Sequence, residues 1–406
     1  MIRQTSAPRR LLFAALGMSI AAAFTSACSS PQEAAQEPAG DGTPIKVGLV
    51  YSQTGALAGY GKQYIEGWKA GLAFATKGTG KVGNRPVEVK EVDDAGDPAK
   101  AVSAAKDLIG QGYKIIAGST GSAVAGQVAP LAAQNKVLFV SGPAASDAVT
   151  GVNKYTFRSG RQSYQDVLAA KSYLPAPTGK KVLVFAQEGT FGKSNADAVK
   201  AVIGGAGATV DNLFVPASAT EFTGFAAQAK NAKADMIFVA WAGTTAPAMW
   251  QALDQQGVLG STMVVTGIDQ RASWATFGAA GGKLSLLAHY FDGASDNEAT
   301  TALRKGLSDA GGGKLDLFHP DGFTAAQMIV RAAAEGGDDV DKMVTALEGW
   351  TFDGVKGKLT VRKEDHALLQ PMFQGKFSGS GAELKPELVK AIDPADGAPP
   401  VVQMKG

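Results

Sequence analysis

A single cysteine, Cys28, occurs in 406 residues, so no disulfide framework can hold this chain together. Histidine is almost as scarce. His289, His319 and His366 have no metal-ligand spacing, and each is expected to be a surface or core polar residue. The nucleophile-elbow pattern G-x-S-x-G is missing as well. With no nucleophile, base or metal cluster, neither an enzyme nor a cofactor-dependent protein is expected. No apolar run long enough to cross a bilayer, about 20 residues, follows residue 28, which removes a receptor with its own membrane span.

What precedes Cys28 has the three parts of an export signal. Arg3, Arg9 and Arg10 come first, then an apolar run from Leu11 to Phe24, then Thr25, Ser26 and Ala27. Residues 1–27 therefore read as a bacterial lipoprotein leader and Cys28 as the lipid attachment point. An ordinary cleaved signal with an incidental cysteine is the weaker alternative. Thr25 stands where such leaders usually carry Leu. Residues 28–43, rich in Ser, Pro, Gln, Ala, Glu and Gly, are expected to be a lipid-anchored tether. The expected location is the outer face of the cytoplasmic membrane. Removing the leader takes three arginines and no acid, so 39 basic residues become 36 against 37 acidic ones. A nearly neutral chain argues against a nucleic-acid partner, which needs a clustered positive surface.

From Ile45 onward short apolar strands alternate with longer amphipathic helices, the pattern of parallel sheets covered on both faces. Strands are predicted at Ile45 to Tyr51, Pro86 to Val92, Ile115 to Ala117 and Val137 to Val140. A helix over Gly61 to Ala75 places Tyr64, Trp68 and Leu72 on one face, and Asp97 before Pro98 is a helix start. A second series follows Arg158, with strands at Lys181 to Phe185, Thr209 to Phe214, Met236 to Val239 and Met263 to Val265. The fold class is α/β, with two doubly wound parallel-sheet lobes. The remaining third, including a strand pair around Lys358 and Met372, is expected to complete these lobes rather than form a third.

Two glycine motifs fail on context. Gly78, Gly80 and Gly83 spell G-x-G-x-x-G but follow a helix and precede a strand, the reverse of a dinucleotide site. Gly189 to Ser194 ends in Gly-Lys-Ser, yet the glycine that a P-loop needs five positions before Gly192 is Gln187. That segment reads as a loop at a strand's carboxyl end, with Phe191 as a ligand contact. Gly118-Ser119-Thr120-Gly121-Ser122 and Ser141-Gly142-Pro143-Ala144-Ala145-Ser146 follow adjacent strands. Small residues there let a backbone approach a ligand, and hydroxyls with free helix amides suit an anion. Plain βα turns would use the same residues.

Taken with Ser52-Gln53-Thr54-Gly55, Ala58-Gly59-Tyr60-Gly61, Asp93-Asp94-Ala95-Gly96-Asp97-Pro98, Thr190-Phe191-Gly192 and Phe238-Val239-Ala240-Trp241 in that order, the chain resembles the type I periplasmic binding proteins. Within them it is similar to the branched-chain amino acid group of ABC-transporter substrate-binding lipoproteins. The resemblance implies a two-lobed clamp with three hinge crossings. Lobe 1 would comprise residues 44–159 and 290–356, and lobe 2 residues 160–289 and 357–403. It further implies Ser122, Ser146, Ala144 and Ala145 around a ligand carboxylate, Tyr60 on the same side, Phe191 and Trp241 from the second lobe, and Asp269 on an ammonium. Asp269 could instead pair with Arg271, and the family's aromatic after the Trp241 strand is replaced by Thr244 or Thr245. The implied protein is a monomer that captures a small polar solute, an amino acid foremost, and delivers it to a membrane permease. Amides and small carboxylates, or a stand-alone sensor role, are the alternatives.

Overall fold

The computed structural model describes residues 42–311, 313–379 and 383–405. The leader, Cys28 and all but the last two residues of the tether lie outside them.

In chain order the first sheet is built from β1 (Ile45–Tyr51), β2 (Lys81–Val82), β3 (Arg85–Asp93), β4 (Ile115–Gly118), β5 (Leu138–Ser141) and β6 (Thr156–Arg158). Helices α1 (Ala58–Ala75), α2 (Pro98–Gly110) and α3 (Ser122–Asn135) run between them. The strand order is β2-β3-β1-β4-β5-β6; β1 pairs in parallel with both β3 and β4, and only the β2–β3 hairpin is antiparallel. The near-continuous apolar strands Ile45–Tyr51 and Ile115–Gly118 are buried except at Lys46, as expected of a sheet covered on both faces. Asp97 caps α2, accepting from the Ala99 and Lys100 amides. Gly78, Gly80 and Gly83 all have positive φ in the α1–β2–β3 turns, in line with the turn reading. α1 begins at Ala58, three residues ahead of the expected start.

The second sheet takes β7 (Lys181–Gln187), β8 (Thr209–Val215), β9 (Met236–Ala240), β10 (Met263–Gly267) and β11 (Leu284–Ala288). Helices α4 (Ser163–Lys171), α5 (Thr190–Val199), α6 (Thr223–Asn231), α7 (Ala246–Gln255) and α8 (Val258–Ser261) accompany them. After β11 the chain forms α9 (Glu298–Asp309), α10 (His319–Gly336) and α11 (Val340–Leu347), then the small antiparallel sheet β12 (Thr351–Gly354), β13 (Gly357–Val361) and β14 (Leu368–Leu369). Finally β15 (Met372–Ser378) and β16 (Lys385–Ile392) return to the second sheet, whose order is β16-β15-β11-β10-β9-β7-β8.

Two expectations need correction. The strands at Lys358 and Met372 are not partners: β13 pairs with β12 and β14, whereas β15 pairs with β11 and β16. Residues 357–369 also do not join the second lobe, because Leu359, Val361 and Leu368 pack in the same core as β1, β4 and β5. The final tail goes back to the first lobe too, where the Lys405 amide donates to the Gly151 carbonyl and Arg362 donates to the Pro399 and Pro400 carbonyls. Apolar alternation is too short in these segments to say which sheet they join.

The chain therefore passes between the sheets near Ser159–Gln162, His289–Asn297 and Gln370–Pro371. α1 and α10 pack closely because glycine removes side chains from the crossing. A Cβ on Gly67 or Gly71 would overlap the α10 backbone, and one on Gly322 would overlap the Tyr64 carbonyl. Tyr64 and Trp68 are buried beside them.

Candidate functional site

Each sheet reverses its winding direction once, and open α/β sheets bind ligands outside the carboxyl ends of strands at such a point. In the first sheet the reversal lies between β1 and β4, in the second between β7 and β9. A cavity of about 110 Å³ lies at both. One water needs roughly 10–15 Å³, so the space suits a small molecule and not an oligomer. Its wall takes Leu57 and Tyr60 from the β1 side, Thr120, Gly121 and Ser122 from the β4 side, Phe191 and Asn195 from α5, and Trp241 and Ala242 after β9. Ile268 and Asp269 after β10, His289 after β11, Arg161, Asp166 and Phe318 also line it.

The loop after β4 is forced into place. Gly118 has φ +118° and a Cβ there would overlap the Val50 carbonyl oxygen, so only glycine lets β4 run this close to β1. Thr120 Oγ accepts from the Ser52 amide at 3.1 Å, and Ser52 Oγ donates to Asp94 at 2.7 Å. Asp93 accepts from the Gln53, Thr54 and Ala95 amides. The acidic pair at the end of β3 thus holds the loop after β1, whose Ser52 in turn bonds the loop after β4. α3 starts at Ser122 with Gly121 at its N-cap and no side chain capping it, and both residues line the cavity, a place where a helix start favours an anion.

Asp269 follows β10, whose ladder continues one residue further through the Ile268 amide on the Leu287 carbonyl. Its carboxylate accepts from Tyr60 Oη across the cleft at 2.7 Å and from the Gln270 amide at 2.7 Å. Burial holds this carboxyl above its ordinary range, against the lowering effect of hydrogen bonds from Tyr60, Gln270 and Ser273. No cation is among the groups acting on it. Among the described residues no ion pair joins it to Arg271, whose guanidinium lies over the Trp274 ring at 4.6 Å. The tyrosine is pushed far up in turn by burial and by the Asp269 charge.

Of the residues expected from sequence, Tyr60, Ser122, Ala145, Phe191, Trp241 and Asp269 line this one cavity. Ala144 and Ser146 do not. Ser146 turns its hydroxyl to the Ala148 amide at 3.3 Å, capping a short 3₁₀ turn, and its own amide donates to Ser122 Oγ at 3.2 Å. Ala144 is buried behind the wall with its amide on the Ser119 carbonyl. Trp241 stacks with Phe185 at 5.7 Å and donates from Nε1 to Thr245 at 3.0 Å, so Thr245 supports the aromatic wall from behind.

Sequence reasoning missed Arg161, His289 and Phe318. His319 and His366 are buried polar residues as expected, bonded to Glu66 at 3.1 Å and to the Thr156 carbonyl at 3.0 Å. His289 instead lines the cavity with its ring tilted against Phe318 at 5.1 Å, and Phe318 also lies 4.4 Å from Tyr60. Burial and the nearby Arg161 and Lys356 charges hold His289 well below its ordinary pKa, so it is a neutral ring. No local motif marks these residues, since each sits on or beside a crossing between sheets.

Two α/β lobes meeting over a small cavity with a largely apolar wall, a buried carboxylate and an uncapped helix start define a solute-binding clamp. The match to known proteins narrows this: the model for the periplasmic binding protein family covers residues 44–382. The chain belongs to that family, the exported solute-binding proteins of ABC transporters, and is not an enzyme. It is 28% identical to the Leu/Ile/Val-binding protein BraC3 of Rhizobium johnstonii, over 78% of this chain and 87% of that one. A crystal structure of an ABC-type branched-chain amino acid transporter protein from Rhodopseudomonas palustris superposes with a TM-score of 0.75 at 29% identity, over 89% and 100% of the two chains. A solute-binding protein from R. palustris in complex with 4-hydroxybenzoate shares the fold, with a TM-score of 0.79 at 22% identity over 86% and 97%.

Proposed function

We propose that this protein captures a free α-amino acid outside the cytoplasmic membrane and hands it to an ABC permease. The observation that carries the reading is Asp269: a cavity-lining carboxylate, hydrogen-bonded from the opposite lobe and with no ion pair among the described residues, is suited to a ligand ammonium. The α3 amides and Ser122 would take the α-carboxylate, while Phe191 and Trp241 pack on the rest. Names of the similar proteins, which specify branched-chain amino acids, support the class.

In this mechanism one lobe's half-site fills first, and closure adds the other half and excludes water. A charge pair is worth more once dry, and the solute shifts the open–closed balance only by its preference for the closed state. The lobes would be residues 44–159 with 290–369, and 160–289 with 370–393. We further infer lipid anchoring at Cys28 and action as a monomer, Cys28 being the residue that closes the leader. Calorimetric titration of the soluble chain from residue 29 with L-amino acids and their N-acetyl derivatives tests the reading. Binding of the free amines alone is expected; equal binding of carboxylates without the amine would refute the role of Asp269.

A further inference from the structure

Arg161 occupies the first crossing between the lobes, between β6 and α4, and reaches the cavity wall. Its side chain is only 12% exposed. Asp166 holds Nε at 3.2 Å, the Pro143 carbonyl holds Nη1 at 3.1 Å, and the guanidinium lies 5.9 Å over the Phe318 ring. Nη2 has no protein partner among the described residues. The planar fork is thus fixed at two of its three nitrogens, and the third is left without a protein partner in a residue that lines the cavity. Fixing a fork in this way lowers the entropy lost when it binds an acceptor.

Charge around the fork is already balanced. Arg161 pairs with Asp166 at 3.2 Å and Lys356 with Asp321 at 2.8 Å, and Arg158 lies within the influence of Asp147 and Asp321. Lys356 donates to Asp321 at 2.8 Å and to Gln370 at 2.7 Å, and Asp365, the next carboxylate, is taken by Arg362 at 2.6 Å. His289 beside the fork is neutral. A second ligand carboxylate here would bring a buried charge with no counter-ion, which is costly. A hydrocarbon would leave the guanidinium donor unpaired, which is also costly.

We infer that Arg161 recognises the solute directly, and that the solute's side chain carries a neutral hydrogen-bond acceptor, the oxygen of a carboxamide or a hydroxyl. This rests on the amino-acid reading of the cleft and narrows it, away from the branched aliphatic side chains for which BraC3 is named. The contact separates ligands in the way a site built to bond a polar group does: the analogue lacking that group leaves buried donors unpaired.

The test is titration calorimetry with near-isosteric pairs, asparagine against leucine and threonine against valine, together with aspartate. The wild-type protein is expected to bind the polar member of at least one pair roughly 10- to 100-fold tighter, and aspartate more weakly than asparagine. An asparagine preference points to the carboxamide, a threonine preference to the hydroxyl. The double variant Arg161→Met with Asp166→Asn, which leaves no buried carboxylate unpaired, is expected to lose that preference. Tighter binding of leucine and valine, tighter binding of aspartate than asparagine, or a preference that survives the double variant overturns the inference. Should the variant not fold, the wild-type ratios decide alone. Failure of every free amino acid to bind would instead overturn the amino-acid reading, and this inference with it.

Discussion

Replacing Asp269 by Asn changes one oxygen for a nitrogen and removes the charge proposed to meet the ligand ammonium. Tyr60 Oη can still donate to the remaining oxygen, now 2.7 Å away in the wild type, so the closed geometry is kept. The ammonium would be buried without its counter-charge. Truncating one partner of a buried, hydrogen-bonded charge pair costs about 2–5 kcal/mol, which at 1.4 kcal/mol per decade weakens the dissociation constant by about 30- to 3,000-fold. The unliganded protein should respond in the opposite sense. Burial raises the folded-state pKa of Asp269, so between the unfolded and folded values the native state holds the extra proton. Stability from this group accordingly falls as pH rises through that window. Above it the wild type carries the cost of a desolvated charge that Asp269→Asn lacks. The unliganded variant should therefore melt at or above the wild-type temperature at neutral pH. Calorimetry with the best amino acid, and melting curves from pH 4 to 8 without ligand, read both effects. Unchanged affinity would refute an ammonium site at Asp269, and a drop in both affinity and melting temperature would show the residue to be a structural one.

Ser122 and Ser146 should separate. Ser122→Ala is expected to weaken binding, whereas Ser146→Ala, which removes a cap to Ala148, should cost about 1 kcal/mol of stability with affinity nearly unchanged. Denaturant melts and titrations of the two single variants check this, and equal binding losses would put both hydroxyls in the site. Lys356→Met leaves Asp321 buried without its cation and should destabilise the fold by about 3–5 kcal/mol; a loss below 1 kcal/mol in urea unfolding would refute the pairing. Cys28→Ser should move the protein from membranes to the soluble fraction, and retention in the membrane pellet would end the lipid-anchor proposal.

The α/β class, most strand positions, the Asp97 cap and the glycine turns were legible because each depends on neighbours within a few residues. Apolar alternation marks a strand wherever it occurs, and a carboxylate before Pro98 caps a helix whatever lies beyond it. Six of the residues proposed for the site also line the cavity, since they lie in loops or first helical turns at the carboxyl ends of strands, where doubly wound sheets bind ligands. Tertiary structure alone decided what converges on that cavity. Tyr60 and Asp269 meet across 209 residues of chain, and Arg161, His289 and Phe318 reach it from or beside the passages between lobes, where no repeat or motif marks them. It also moved β13 and β14 to the first lobe and turned Ser146 from the ligand to a cap. The physical reason is the same in each case: backbone conformation is set by local sterics and hydrogen bonding, whereas a side chain's partner is set by which crossing places two distant segments together.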